Sequence, residues 1–303
     1  MNNLPDTESG TSSTPAAEVD VSDDLVRALL TSQVPDLAGL PLRLVETGWD
    51  NFTYRLGPAF VVRLPRRAVG AILIEREQTW LPRLAPQLPL PTPVPIHVGE
   101  PGEGYPWRWS VLPWLEGDAA DCSEPDSNQA EPIAAFMRAL HTPASEDAPP
   151  NPVRGVPLAT RAAGVEERLR RLEVKTDSIT PGIWHIWREA LDAPVADEHV
   201  WLHGDLHARN VLVQDGAISG IIDWGDLTAG DPATDLAAIW MLLKDAGARA
   251  CARTAYGADE ATWVRAKGWA VLFGAVLLDT GLTDSPRHAV MGKRTFQNLQ
   301  PIR

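Results

Sequence analysis

His203–Asp226 reads HGDLHARNVLVQDGAISGIIDWGD, and its spacing decides how the rest of the chain is understood. Asp205 and Asn210 lie five residues apart in a polar loop, and Asp223 ends the β-branched run that contains Ile218, Ile221 and Ile222. Moving a γ-phosphoryl group requires a carboxylate that orients the attacking hydroxyl, and oxygen ligands that hold Mg²⁺ against the phosphates. Asp205 suits the first task. Asn210 offers a carbonyl oxygen and Asp223 a carboxylate, the hard ligands that Mg²⁺ accepts while keeping waters and phosphate oxygens. Taken singly, each would be an ordinary Asx-turn or loop-capping residue; their joint spacing points to phosphoryl transfer. His203 and His207 could suggest zinc, but no third and fourth ligand follows at a recognisable spacing.

The order Asp, four residues, Asn, strand hairpin, Asp resembles the catalytic and metal loops of protein kinases, with HGD in place of HRD and DWG in place of DFG. Together with GDPATDLA at Gly230–Ala237, these replacements are similar to the aminoglycoside phosphotransferase family, whose wider membership includes macrolide, hygromycin, choline and methylthioribose kinases. The resemblance runs from about Leu42 to Leu278 and is sharpest from Trp201 to Leu236. It implies ATP or GTP as donor, Mg²⁺ as cofactor, and a hydroxyl of an aminoglycoside or related antibiotic as acceptor. A metabolite kinase for choline, an amino alcohol or a sugar is the alternative, and a catalytically silent nucleotide-binding protein a second. The intact Asp205, Asn210 and Asp223 argue against silence.

The same resemblance assigns roles elsewhere. His203 becomes a structural tie, and Asp231 and Asp235 brace the catalytic loop. Asp226 either faces the substrate or supports Asp223. Arg63 in FVVRLPRR stands where the family carries a basic residue for the α- and β-phosphates, an Arg where protein kinases have the Lys of VAIK; a guanidinium can grip phosphate bidentately. Glu77 is its expected partner, with Glu75 as the alternative. TGWDNFT occupies the place of a phosphate-covering loop but lacks GxGxxG. Gly48 and Asn51 could let backbone amides approach the triphosphate, although a plain hairpin turn accounts for them equally well. Leu112–Trp114 would present backbone groups to the purine. Of the twelve Trp, Trp184, Trp224 and Trp240 lie in segments that form the acceptor pocket in related enzymes, although a Trp is more often core than pocket wall.

Outward from the motif, the pattern predicts an α+β, bilobal, protein-kinase-like fold. Residues 1–21 are rich in Ser, Thr, Pro and acid and are expected to be disordered. Residues 22–112 form an N-terminal lobe: Ser22 caps a short helix, LRLVE, NFTYRLG and AFVVRL make a three-stranded antiparallel meander, and IEREQTWLPRLAPQL makes a helix. After prolines at 89, 91, 93 and 95, Ile96–Gly99 and Trp107–Leu112 add a strand pair. Residues 113–117 link the lobes. Residues 118–303 form the larger, mainly helical lobe, with helices at 131–141, 165–172, 182–191, 234–244 and 260–278, the last containing or bending at Gly268 and Gly274.

Composition narrows the partners. The net charge is −13, of which residues 1–24 contribute −6 and residues 116–150 contribute −7, so the remainder is balanced. A basic face for nucleic acid is therefore not expected. Acidic surface near a cleft would favour a cationic acceptor by steering, whereas the plainer expectation is solvated, flexible segments. The longest apolar stretch, Trp269–Leu278, is short of the roughly 20 residues a membrane span needs. The chain start has no basic and apolar signal pattern. Two cysteines, Cys122 and Cys251, suit free thiols in a reducing compartment, so the expected location is cytoplasmic. Oligomeric state is not legible.

Overall fold

Alternating side chains at 42–65 form the expected meander: β1 (Leu42–Thr47), β2 (Asn51–Leu56) and β3 (Phe60–Pro65), preceded by α1 (Asp23–Gln33) and a single turn, α2 (Pro35–Ala38). The computed structural model describes residues 15–196 and 198–300. These fall into two compact units, 15–86 with 91–115, and 87–90 with 116–300.

In the first unit α3 (Ala68–Leu84) follows the meander, and β4 (His97–Gly99) and β5 (Trp109–Pro113) complete an antiparallel sheet of order β1-β2-β3-β5-β4. The period-two alternation of β3 sends Val62 and Leu64 into a core with Val26, Leu29 and Leu30 of α1. It leaves Arg63 on the opposite face, where Glu77 of α3 meets it. Ser22 caps α1 by accepting a hydrogen bond from Leu25 N at 3.2 Å.

Two expectations change here. Residues 1–14 of the tail expected to be disordered lie outside the described residues, but residues 15–21 dock on the unit. Val19 and Val21 pack against the core, and Glu18 N donates to Arg66 O at 2.8 Å. Helix α3 begins at Ala68 rather than near Ile74. Its N-cap position, Arg67, supplies no side-chain cap; Glu18 Oε2 accepts from Ala68 N at 3.0 Å instead. This non-local cap satisfies one of the orphan amides of the first turn.

In the second unit β6 (Asp118–Ala119) is followed by α4 (Ala130–Leu140), α5 (Ala162–Lys175) and α6 (Pro181–Asp192). Then come β7 (Val200–Leu202), β8 (Val211–Gln214), β9 (Ala217–Ile221) and β10 (Thr228–Gly230), in two small sheets, β10-β7 and β6-β8-β9. Five helices close the unit: α7 (Ala233–Leu236), α8 (Ala238–Leu242), α9 (Ala246–Tyr256), α10 (Glu260–Gly281) and α11 (Pro286–Leu299). The single helix expected over 234–244 is two short ones. Carbonyls at its end are taken by side chains from outside it: Asn298 Nδ2 donates to Trp240 O, and Arg249 to Leu243 O and Lys244 O.

Helix α10 is the hub, packed by α5, α6, α7, α8 and α11. It runs unbroken through Gly268 and Gly274. A Cβ on Gly268 would lie 2.4 Å from Ala190 Cβ of α6, so glycine there permits the close approach of the two helices. By length and composition α10 could cross a membrane, but 78% of its apolar window is buried inside the unit, and Arg265 within it is paired with Asp231. It is a core helix. The acidic stretch after residue 116 is not simply solvated: Arg287 of α11 donates twice to Asp121, both at 2.7 Å, and Arg294 to Glu124 at 3.0 Å.

Candidate active site

The candidate catalytic loop leaves β7 at His203 and is held at its start by one carboxylate. Asp235, at the first turn of α7, accepts from His203 N at 2.7 Å and from Gly204 N at 2.9 Å. Gly204 has φ +84°, and a Cβ there would meet Asp226 O at 2.4 Å, so only glycine lets the loop turn beneath residue 226. His203 is fully buried. Its Nδ1 accepts from Asp205 N, which assigns the proton to Nε2 and the donation from Nε2 to Ile222 O at 3.0 Å. The imidazole therefore ties the loop to the end of β9. His141, the C-cap of α4, reaches Asp235 Oδ2 at 3.3 Å through Nε2 and Tyr256 Oη at 2.8 Å through Nδ1. The other acid of GDPATDLA, Asp231, takes a paired contact from Arg265, with Nε at 2.6 Å.

At the loop's centre Asp205 is held by three donors. Asn210 Nδ2 lies 3.3 Å from Oδ2 and also donates to Asp205 O at 2.9 Å. His207 Nε2 is 3.4 Å from Oδ2; because His207 Nδ1 accepts from Arg209 N, Nε2 carries a proton in either charge state. Arg154 reaches Oδ1 at 3.3 Å. Burial alone would push the Asp205 carboxyl up, but the electrostatic pull of the basic side chains beside it, His207 and Arg154 foremost, outweighs it and holds the group below its ordinary value.

Asn210 commits its amide nitrogen to Asp205, so its Oδ1 is the atom left for a cation. Its backbone carbonyl accepts from Ile222 N at 2.9 Å, continuing the Val211↔Ile221 register of the β8–β9 hairpin. That register sets Asp223 beside the Asn210 end of the hairpin. Asp223 is exposed and adopts a left-handed φ of +64°, a conformation uncommon for a non-glycine residue and found disproportionately at functional sites. Among the described residues no three His, Cys, Asp or Glu side chains gather as a metal cage. One amide oxygen and one carboxylate is nevertheless a donor set that Mg²⁺ accepts when phosphates and waters complete its shell.

Asp226 sits beside this loop with Oδ1 accepting from Asn151 Nδ2 at 2.9 Å. Burial, then the negative charges of Asp205 and Asp223, push its carboxyl up against the opposing pull of Arg154 and Asn151. Neither Asn151 nor Arg154 was singled out by sequence. They lie in the Pro-rich connection after α4, whose contacts to the loop span 51 and 75 residues and leave no local pattern.

The family model of the phosphotransferase enzyme family matches residues 41–269. The chain belongs to that family. A 124-residue stretch is 32% identical to aminoglycoside 3'-phosphotransferase of Escherichia coli, covering 37% of this chain and 42% of that protein. A 64-residue stretch is 31% identical to the uncharacterized protein YcbJ of Bacillus subtilis strain 168, covering 19% and 20%. The chain thus spans less than half the length of these two relatives. Among solved structures, the GDP complex of aminoglycoside 2'-phosphotransferase-IIIa superimposes with a TM-score of 0.63 at 15% identity, covering 92% of this chain and 99% of that one. The macrolide 2'-phosphotransferase MphH of Brachybacterium faecium gives 0.60 at 21%, covering 92% and 99%. These likenesses establish the kinase-like fold of the family.

The first unit carries the other expected residues. Arg63 Nη1 donates to Glu77 Oε2 at 2.7 Å, and the Glu77 side chain is fully buried; Glu75 is exposed. The β1–β2 turn is a closed hairpin. Gly48 N donates to Asn51 O at 2.9 Å and Gly48 O accepts from Arg66 at 2.8 Å, so the amide of Gly48 closes the plain hairpin, the second of the two expectations for this turn. Asn51 pairs with Pro65 in the sheet and buries Oδ1 without a hydrogen bond. Leu112 is buried in β5 opposite Val61. Trp114 N is committed to Ala59 O at 2.8 Å, and its ring stacks 3.6 Å from the Arg55 guanidinium carbon.

The expected aromatic wall is corrected. Trp224 is fully buried, 4.7 Å from the His203 ring, with Nε1 donating to Ile221 O; it supports the loop from beneath. Trp240 is buried against Trp263 at 6.2 Å. Neither ring can face an acceptor. Trp184 is half-buried between Arg170 and Arg188 at about 6 Å from each guanidinium carbon.

Proposed function

We propose that this chain transfers the γ-phosphoryl group of ATP or GTP to a hydroxyl of a small molecule, with an aminoglycoside or related antibiotic as the acceptor. The observation that carries this reading is Asp205, a carboxylate kept ionised and fixed by Asn210, His207 and Arg154 on a loop that Asp235 holds by two amides. Fixed orientation at the reacting atoms is where such a reaction gains most of its rate. Asp205 accepts the hydrogen bond of the acceptor hydroxyl and aligns its oxygen for in-line attack; the bond to the γ-phosphorus forms as the bond to the β-bridging oxygen breaks.

Asn210 Oδ1 and Asp223 would hold Mg²⁺, which when bound offsets the charge of the phosphates. Arg63, braced by buried Glu77, grips the α- and β-phosphates in the same reading. Support for the donor and acceptor classes comes from the family and from relatives whose solved complexes contain GDP, kanamycin or gentamicin. The test is incubation with Mg²⁺ and ATP or GTP against aminoglycosides, macrolides and small amino alcohols, read by mass spectrometry. A mass gain of one phosphoryl group on an antibiotic is expected. A gain on amino alcohols alone replaces the acceptor class, and none at all removes the reading.

A further inference from the structure

Arg154 belongs to no catalytic motif, yet its mount is the most heavily tied stretch of irregular chain near Asp205. Asn151 Oδ1 accepts from Val153 N at 3.0 Å and Arg154 N at 3.1 Å, closing an Asx-type turn. Its Nδ2 donates to Asp226. Just upstream, Thr228 Oγ1 donates to Pro149 O at 2.7 Å, and just downstream Gly155 O accepts from Asp231 N at 3.0 Å. The backbone is therefore pinned to residues 226–231 on both sides of Arg154. The side chain, 14% exposed, lays its guanidinium carbon 5.0 Å from the ring centre of Phe273 in α10, a cation–π contact that limits its rotation. Nη2 then meets Asp205 Oδ1 at 3.3 Å.

The two oxygens of Asp205 are used differently. Oδ2 faces Asn210 Nδ2 and His207 Nε2, whereas Oδ1 faces Arg154. A carboxylate oxygen offers about two acceptor directions; Oδ2 has two donors within 3.4 Å and Oδ1 one, so Oδ1 is the more open of the two. We propose that Arg154 is a positioning residue for phosphoryl transfer: it fixes Oδ1 of Asp205 in the orientation that receives the acceptor hydroxyl. The inference rests on reading Asp205 as the hydroxyl-orienting group. A planar guanidinium on a rigid mount defines that orientation; a lysine ammonium on a flexible stem does so less well. The loop itself does not depend on Arg154, since Asp235 and His203 anchor it separately.

The experiment compares full-length wild type with Arg154→Ala, Arg154→Gln and Arg154→Lys. It measures phosphate release from Mg·ATP and Mg·GTP with water as acceptor, nucleotide Kd by titration, and melting temperature. Losing one charge-assisted hydrogen bond at the reacting group predicts a kcat lowered on the order of 10- to 100-fold for Ala and Gln. Lys should fall between them and wild type, and nucleotide Kd should hold within about twofold. Added methylguanidinium should restore part of the Arg154→Ala turnover and none of that lost in Asp205→Asn. Unchanged kcat in Arg154→Ala overturns the inference, as does a loss that methylguanidinium leaves untouched while the melting temperature drops. Wild type that binds nucleotide but releases no phosphate instead removes the reading of Asp205, and this inference with it.

Discussion

Replacing Asp235 with alanine should destabilise the protein strongly. Its carboxylate is fully buried and accepts from two backbone amides, His203 N at 2.7 Å and Gly204 N at 2.9 Å, and from the His141 ring at 3.3 Å. Each buried donor left without a partner costs about 1–3 kcal/mol. Two amides and a longer, more adaptable ring contact give about 3–5 kcal/mol, a large share of the roughly 5–15 kcal/mol that holds a domain together. Asp235→Asn keeps the shape but has one acceptor oxygen and turns an amide nitrogen toward a donor, so it should lose at least half as much. Asp205→Ala is the control. Its charged partners are partly exposed and buried Asn210 keeps its bond to the backbone carbonyl of residue 205, so it should cost clearly less than Asp235→Ala. Urea unfolding followed by tryptophan fluorescence and circular dichroism measures all three, with coincident transitions checking cooperativity. An Asp235→Ala loss below about 1 kcal/mol, or an Asp205→Ala loss equal to it, refutes the claim that Asp235 holds the loop.

Three further outcomes follow from the same geometry. Arg63→Met removes the guanidinium that donates to the buried Glu77 carboxylate at 2.7 Å and should cost about 3–5 kcal/mol, most of it recovered in Arg63→Met/Glu77→Leu; no recovery in the pair would show that the single loss came from packing. For Asp226 the carboxyl is raised from 3.8, so its contribution to stability is full below that value and lost as pH rises through the raised one. Asp226→Asn should therefore melt higher than wild type at neutral pH, with the difference vanishing below about pH 4, and a gain that persists in acid would exclude the charge as its cause. Asp223→Ala should abolish the Mg²⁺-dependent part of nucleotide affinity, and identical titrations with and without Mg²⁺ in wild type and variant would take Asp223 out of metal binding.

Local chemistry made much of this legible. The meander at 42–65 and the β8–β9 hairpin were readable because β-rich runs and the turn residues between them are contained within short windows. What was missed is non-local. Helix α3 begins six residues early because its cap, Glu18, comes from 50 residues away. Arg154 and Asn151 approach Asp205 and Asp226 through a Pro-rich connection with no periodicity. The His141–Tyr256 contact joins α4 to the end of α9 across 115 residues. Trp224 and Trp240 were drawn toward the acceptor by their place in the chain, whereas their large apolar surfaces are buried beneath the loop and against Trp263. The turn at Gly48 was readable only as two alternatives, since a plain hairpin and a phosphate-covering loop draw on the same residue types; its amide closes the hairpin.

The most direct test of phosphoryl transfer by this loop is a paired measurement on Asp205→Asn: turnover of Mg·ATP or Mg·GTP, and binding of the same nucleotide. The side chain keeps its size and loses its charge. Turnover should fall by roughly 10²–10⁴-fold while nucleotide affinity stays within about twofold. Full turnover in Asp205→Asn would contradict the account at its centre.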